Sequence, residues 1–212
     1  MSRKTKAILS VGTILIVLIL DQALKIWVKT HMHLYESIDV TDWFKIRFIQ
    51  NNGMAFGWEI GGKYLLTSFR IVAVTLIGWY LVRQIRAHRP LGLILCLSLV
   101  LAGAAGNIFD CLFYGQIFNN PPAFQVAEFV PWGQGYSGLM LGEVVDMLYF
   151  PLVEWDMPAT WTWLDSVPLL PDAGEHCIFF SPIFNIADAA ISCAMILLII
   201  LSPRYFNQKD IV

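Results

Sequence analysis

The chain has 212 residues, of which 57% are apolar and 14% charged, with a formal net charge of −2 and a mean hydropathy of +0.62. Soluble domains carry about 25% charged residues, so this composition excludes an ordinary soluble enzyme. It points to an integral membrane protein with a single domain over residues 1–212.

Four apolar runs approach the roughly 20 residues needed to cross a bilayer: about 7–28, 64–82, 91–113 and 183–202. The first follows Arg3, Lys4 and Lys6 and flows into Asp21-Gln22-Ala23-Leu24-Lys25 without a small-residue cleavage site. It therefore reads as an uncleaved helix, not a secretory signal. Arg83, Arg86 and Arg89 follow the second run, and Arg204 and Lys209 follow the fourth, whereas Cys111 to Pro182 holds no Lys or Arg and eight acids. By the positive-inside rule both termini are cytoplasmic, and segments 29–63 and 114–182 lie outside. The first external segment keeps four basic residues, which weakens the asymmetry without reversing it.

In that segment Ile38, Val40, Phe44, Ile46, Phe48 and Ala55 alternate in part, and Asn51-Asn52-Gly53 is a turn signal. A small extracytoplasmic β-sheet is expected. The second external segment is broken by Pro121, Pro122, Pro131, Pro151, Pro158, Pro168 and Pro171. Its Trp132, Trp155, Trp161 and Trp163 suit the headgroup layer, so it is expected to lie along the membrane surface.

Cys96, Cys111, Cys177 and Cys193 form no C-x-x-C pair, which argues against a zinc or thioredoxin-like site. HExxH, GxSxG and P-loop patterns are missing as well. No metal or cofactor is expected. Cys111 and Cys177 both fall outside, where they could pair in an oxidising compartment or stay free.

The intramembrane polar residues share one depth. At about 1.5 Å of rise per residue, Asp21 lies about 10 Å and Arg70 about 9 Å below the outer surface. Lys25 is one turn above Asp21. Asn107 and Asp110 stand three residues apart at the outer end of the third run, and Asn185 and Asp188 repeat that spacing in the fourth. The inner halves read as apolar. Taken singly, each has an ordinary explanation. Asp21 and Lys25 make an i,i+4 ion pair, Arg70 snorkels, Asn107 bonds between helices and Ala102 to Gly106 allow close packing. Asp188 answers a helix dipole, Asp146 is a solvated loop acid, and Asn52-Gly53 is a turn. Their coincidence at one depth is what a shared buried polar site explains, and an ionisable residue inside a span is a functional candidate.

Five short blocks in chain order resemble the lipoprotein signal peptidases, the bacterial type II signal peptidases. They are Asp21-Gln22-x-x-Lys25, Asn52-Gly53-x-Ala55-Phe56-Gly57, Gly103-x-x-Gly106-Asn107-x-x-Asp110, Val144-Val145-Asp146 and Phe184-Asn185-x-Ala187-Asp188. The resemblance implies an intramembrane aspartic peptidase in the bacterial inner membrane, with its active site near the extracytoplasmic face. It implies Asp146 and Asp188 as catalytic acids, with Asp21, Lys25, Asn52, Gly53, Asn107, Asp110, Asn185 and Ala187 in support. It also implies diacylglyceryl-modified prolipoproteins as substrates, cut just before the lipidated cysteine, membrane lipids as partners, and inhibition by globomycin. A nucleic-acid partner is not expected. The chain departs from the family where Cys111 replaces an arginine, for which Arg70 is the candidate substitute, and in a longer stretch between Asp146 and Asp188. A proton-coupled transporter and a membrane assembly factor are the competing classes. A transporter would need a polar path across the inner leaflet.

Overall fold

The computed structural model describes residues 1–51, 62–163 and 171–206. Three helices in it are long and apolar enough to cross a membrane: α1 (Arg3–His31), α2 (Gly62–Arg86) and α3 (Leu91–Phe109) with its continuation to Ile117. That continuation is a π-helical turn (Asp110–Tyr114) followed by the short α4 (Gly115–Ile117). Apolar side chains such as Ile16 and Ile19 on α1 and Leu76 and Trp79 on α2 are exposed, as a lipid-facing surface requires.

The expected fourth run begins later than its hydropathy suggests. Ile183–Phe184 form a short strand, and α5 (Ile186–Phe206) starts after Asn185. The cause is a cap. The Asn185 side-chain oxygen accepts the Asp188 N–H at 2.9 Å, and Asp188 Oδ2 accepts the Asn185 N–H at 3.4 Å. This is a reciprocal capping box with Asn and Asp in place of the usual Ser and Glu. The apolar stretch of α5, Ile186–Leu201, is shorter than the other three.

Helix α3 is the centre of the bundle, packing against α1, α2 and α5. Its small residues make this possible, as expected for Ala102 to Gly106. A Cβ on Gly103 would collide with the Ala187 carbonyl oxygen, and one on Gly106 would stand 2.8 Å from Asp21 Oδ2. At the other end of the bundle, Lys6 Nζ donates to the carbonyls of His88 and Arg89 at 3.0 and 2.7 Å, satisfying acceptors left over where α2 ends. The half of the bundle expected to be apolar is not wholly so. Ser10 and Ser98 share a buried 2.7 Å hydroxyl hydrogen bond between α1 and α3. Ser98 gives its own proton to the Ile94 carbonyl at 2.7 Å, so Ser10 donates to Ser98, and the pair joins the helices without adding a charge.

The expected small sheet is present and has four antiparallel strands in the order β1 (Ser37–Thr41), β2 (Phe44–Asn51), β3 (Val144–Tyr149), β6 (Ile183–Phe184). Strands β4 (Val153–Asp156) and β5 (His176–Phe179) form a separate antiparallel pair. Phe48, Val145 and Met147 pack on Val28, Met32, Tyr114 and Phe118 in a small core at the C-terminal end of α1. Side chains alternate across a strand, so Asp146 faces the opposite way from Val145 and Met147. Trp132, Trp155, Trp161 and Trp163 are exposed. Cys111 on the π turn and Cys177 in β5 are both free thiols, so the possible pairing is not made.

The returning chain delivers β3 to the helices by satisfying carbonyls at the end of α3 and α4. The N–H groups of Val130, Ser137 and Gly142 donate to the carbonyls of Ile117, Gly115 and Cys111, each at 2.9 Å. Gly142 passes so close to the Asp110 carbonyl that a Cβ would collide with it. Asp146 follows four residues later.

Candidate active site

The site is built outward from Lys25. Its side chain has no solvent exposure, and an ammonium has three protons to place. All three are placed: on Asp21 Oδ2 at 2.9 Å, Asp110 Oδ2 at 2.8 Å and Asn107 Oδ1 at 2.9 Å. A lysine can only donate, so the Asn107 oxygen must face it. The Asn107 NH2 is thereby turned to Asp188 Oδ1, to which it donates at 2.7 Å. The buried cation thus orients an amide, and the amide holds a carboxylate.

Two further residues lock this arrangement. Gln22 Nε2 donates to Asp21, Asp110 and the Gly106 carbonyl at 3.1, 2.9 and 3.2 Å, while its oxygen accepts from the Tyr114 hydroxyl at 3.0 Å. Asp110 begins the π turn, a distortion common at functional sites, and also accepts the Val145 N–H at 3.3 Å. Asp21 Oδ1 accepts the Ala187 N–H at 2.9 Å, one of the donors that the first turn of a helix leaves open. Ala187 contributes its backbone, and its side chain is fully buried against Gly106.

Asp146 enters from the sheet, only 4% exposed. The Asn185 NH2 donates to Asp146 Oδ1 at 2.7 Å and reaches Asn107 Oδ1 at 3.1 Å. Asn51 Nδ2 approaches Asp146 Oδ2 at 3.3 Å. Asp146 and Asp188, from β3 and α5, are therefore bridged through Asn185. Burial pushes the Asp146 carboxyl up to about 7, and the Asp188 charge adds to the rise, against hydrogen bonds from Asn51 and Asn185 and the charge of Lys25.

Of the residues expected in the site, the structure joins Asp21, Lys25, Asn107, Asp110, Asn185, Ala187, Asp146 and Asp188 in one network. Asp146 is buried in a strand, not solvated in a loop. Arg70 stands to one side, its Nη1 donating to Cys111 Sγ at 3.3 Å. Asn52 and Gly53 lie outside the described residues. Sequence reasoning passed over Gln22, Tyr114 and Asn51 as site residues. Gln22 sits inside the quoted Asp-Gln-x-x-Lys block, three residues before Lys25, which was the available signal.

Fold and network define a multi-pass membrane protein with a desolvated carboxylate site. Residues 13–204 match the family model described as signal peptidase (SPase) II. A lipoprotein signal peptidase of Porphyromonas gingivalis is 43% identical over 205 residues, covering 96% of this chain and 87% of that protein. One from Amoebophilus asiaticus is 34% identical over 209 residues, covering 94% and 79%. Two solved bacterial membrane enzymes share the fold, at TM-scores of 0.58 and 0.57 with 23% and 24% identity. Each comparison covers 95% of this chain, and 92% and 93% of theirs. The chain belongs to the signal peptidase II family of lipoprotein signal peptidases, and it is a membrane protease.

Proposed function

We propose that this protease is an aspartic endopeptidase that removes signal peptides from diacylglyceryl-modified prolipoproteins, cutting just before the lipidated cysteine. Asp146 and Asp188 are its catalytic pair. The observation that carries the reading is Asn185, whose side-chain NH2 donates to Asp146 Oδ1 at 2.7 Å and whose backbone N–H donates to Asp188 Oδ2 at 3.4 Å, so that one residue links carboxyls from separate segments.

Two adjacent carboxyls share a proton because the second ionisation is opposed by the first. Asp146, raised to about 7, keeps that proton. Asp188 acts as base, taking a proton from water as the water oxygen attacks the scissile carbonyl carbon. Asp146 gives its proton to the carbonyl oxygen, which avoids a free oxyanion. The tetrahedral diol then collapses. Its hydroxyl proton returns to Asp146, the C–N bond breaks, and Asp188 passes its proton to the leaving nitrogen. Lys25, Asn107 and Asn185 hold the two acids through these steps.

In this reading α1, α2, α3 and α5 all span the inner membrane, both termini are cytoplasmic, and the site opens near the extracytoplasmic face. The start of α5, with Asn185 as its cap and Asp188 in its first turn, supports a site at that face. The substrate's acyl chains stay in lipid while the peptide bond reaches the acids. Asn52 and Gly53 support substrate binding by family resemblance, and globomycin occupies the same site. Reconstituted protein should cleave a diacylglyceryl-modified precursor and leave the unmodified precursor intact. Equal cleavage of both, or of neither, would reject the substrate assignment.

A further inference from the structure

Lys29 lies one turn beyond Lys25 on α1 and takes no part in the network above. Its side chain is 2% exposed. The ammonium stands over three aromatic rings, 5.0 Å from Tyr136, 5.3 Å from Phe118 and 5.8 Å from Phe48. Glu143 and Asp110 act on it through space, but Glu143 accepts from Gln50 at 2.7 Å and Asp110 from Lys25 at 2.8 Å. Among the described residues the ammonium makes no ion pair. Ring faces attract a cation but leave its protons without acceptors, and a buried charge calls for both.

A cavity of about 390 Å³ lies against this lysine, between the end of α1, β2 and the loop 120–127. Besides Lys29, its polar lining includes His33, Gln50, Asn120 and Gln125, and Phe124 stands at its rim. Phe124 is 83% exposed and meets His33 edge-on at 5.4 Å. Its backbone is in the left-handed region, with φ of 62°, a conformation that costs energy for a bulky side chain. A desolvated cation with neighbouring amides suits an anion. The apolar rim suits an anion carried on an apolar body.

We propose that this cavity binds the phosphate of a phospholipid headgroup, with Lys29 as the phosphate ligand and Phe124 against the glycerol end. The choice of a lipid over a soluble anion rests on the reading that the outer end of α1 emerges at the bilayer surface, where headgroup phosphates sit. This lipid is not the substrate. Phe48 and Gln50 alternate with Ile49 and Asn51 along β2, so the cavity and Asp146 fall on opposite faces of the sheet. A bound headgroup fixes the loop 120–127, and with it β2, at the membrane surface.

Native mass spectrometry of the purified full-length protein tests this, titrating phosphatidylglycerol, diacylglycerol or inorganic phosphate. The wild type should retain one phosphatidylglycerol and no diacylglycerol, and inorganic phosphate should not displace the lipid. Lys29→Met should weaken retention on the order of tenfold, the scale of one charge-assisted hydrogen bond, and Lys29→Arg should preserve it. Ala123→Trp fills the rim without touching Lys29 and should also lose the lipid while still cleaving precursor. That last result keeps this test separate from the catalytic assignment. Undiminished retention in either Lys29→Met or Ala123→Trp, equal retention of diacylglycerol, or displacement by inorganic phosphate would overturn the proposal.

Discussion

Replacing Lys25 with methionine probes the network at its hub. Methionine nearly matches the lysine stem in length, so the loss is mainly the ammonium and its three hydrogen bonds. Two buried carboxylates, Asp21 and Asp110, are then left without their cation, and the Asn107 oxygen loses its only lysine donor. Removing one partner of a buried ion pair costs about 3–5 kcal/mol. Lys25 serves two acids at full burial, so the upper end of that range is expected, against a total stability of about 5–15 kcal/mol. Denaturant unfolding in detergent reads this directly. The double variant Lys25→Met with Asp110→Asn removes one stranded charge and should recover part of the loss. The two effects should not add, as expected for residues in one network. A Lys25→Met protein within about 1 kcal/mol of wild type, the size expected of an exposed pair, would refute the claim that this cation organises the site.

Gly106→Ala puts a methyl group 2.8 Å from Asp21 Oδ2 and 3.3 Å from the Ala187 side chain. It should destabilise by about 1–3 kcal/mol as an overpacked contact, and a melting curve checks it. Asn185→Ala removes the cap of α5 and the bridge between the acids together. The cap alone is worth about 1 kcal/mol, so a larger fall in precursor cleavage than in stability is expected. The pH dependence follows from Asp146. Below about 7 it holds its proton, and as pH rises through about 7 it loses it. Measured kcat/KM should therefore fall about tenfold per pH unit beyond that point. Because this carboxyl is raised on folding, the native state binds more protons than the unfolded state. Stability should fall between about pH 4 and 7, and Asp146→Asn should flatten that slope.

The helical plan was legible because lipid-facing runs leave a long, uninterrupted apolar signal, as in α1 and α2. The site was legible through depth. Asp21, Lys25, Asn107 and Asp110 lie on helices, whose constant rise turns sequence position into distance. Asp146 was harder to place, since nothing local to β3 shows that Gly142 and the end of α3 draw that strand under the helices. The start of α5 was misjudged because Ile183 and Phe184 suit a strand as well as a helix. The Asn185–Asp188 cap and the pairing of Ile183 and Phe184 with β3 separate the two, and both depend on backbone geometry. Gln22 and Tyr114 were missed for a similar reason: their value lies in partners 84 to 92 residues away.

The most direct test is single-turnover cleavage of a diacylglyceryl-modified precursor by Asp146→Asn and Asp188→Asn, each shown by melting curve to be folded. Each substitution keeps size and removes the proton-transfer group. Each should slow the chemical step by about 10²–10⁴-fold while precursor binding persists. Near-normal cleavage by either folded variant would contradict a mechanism built on this pair.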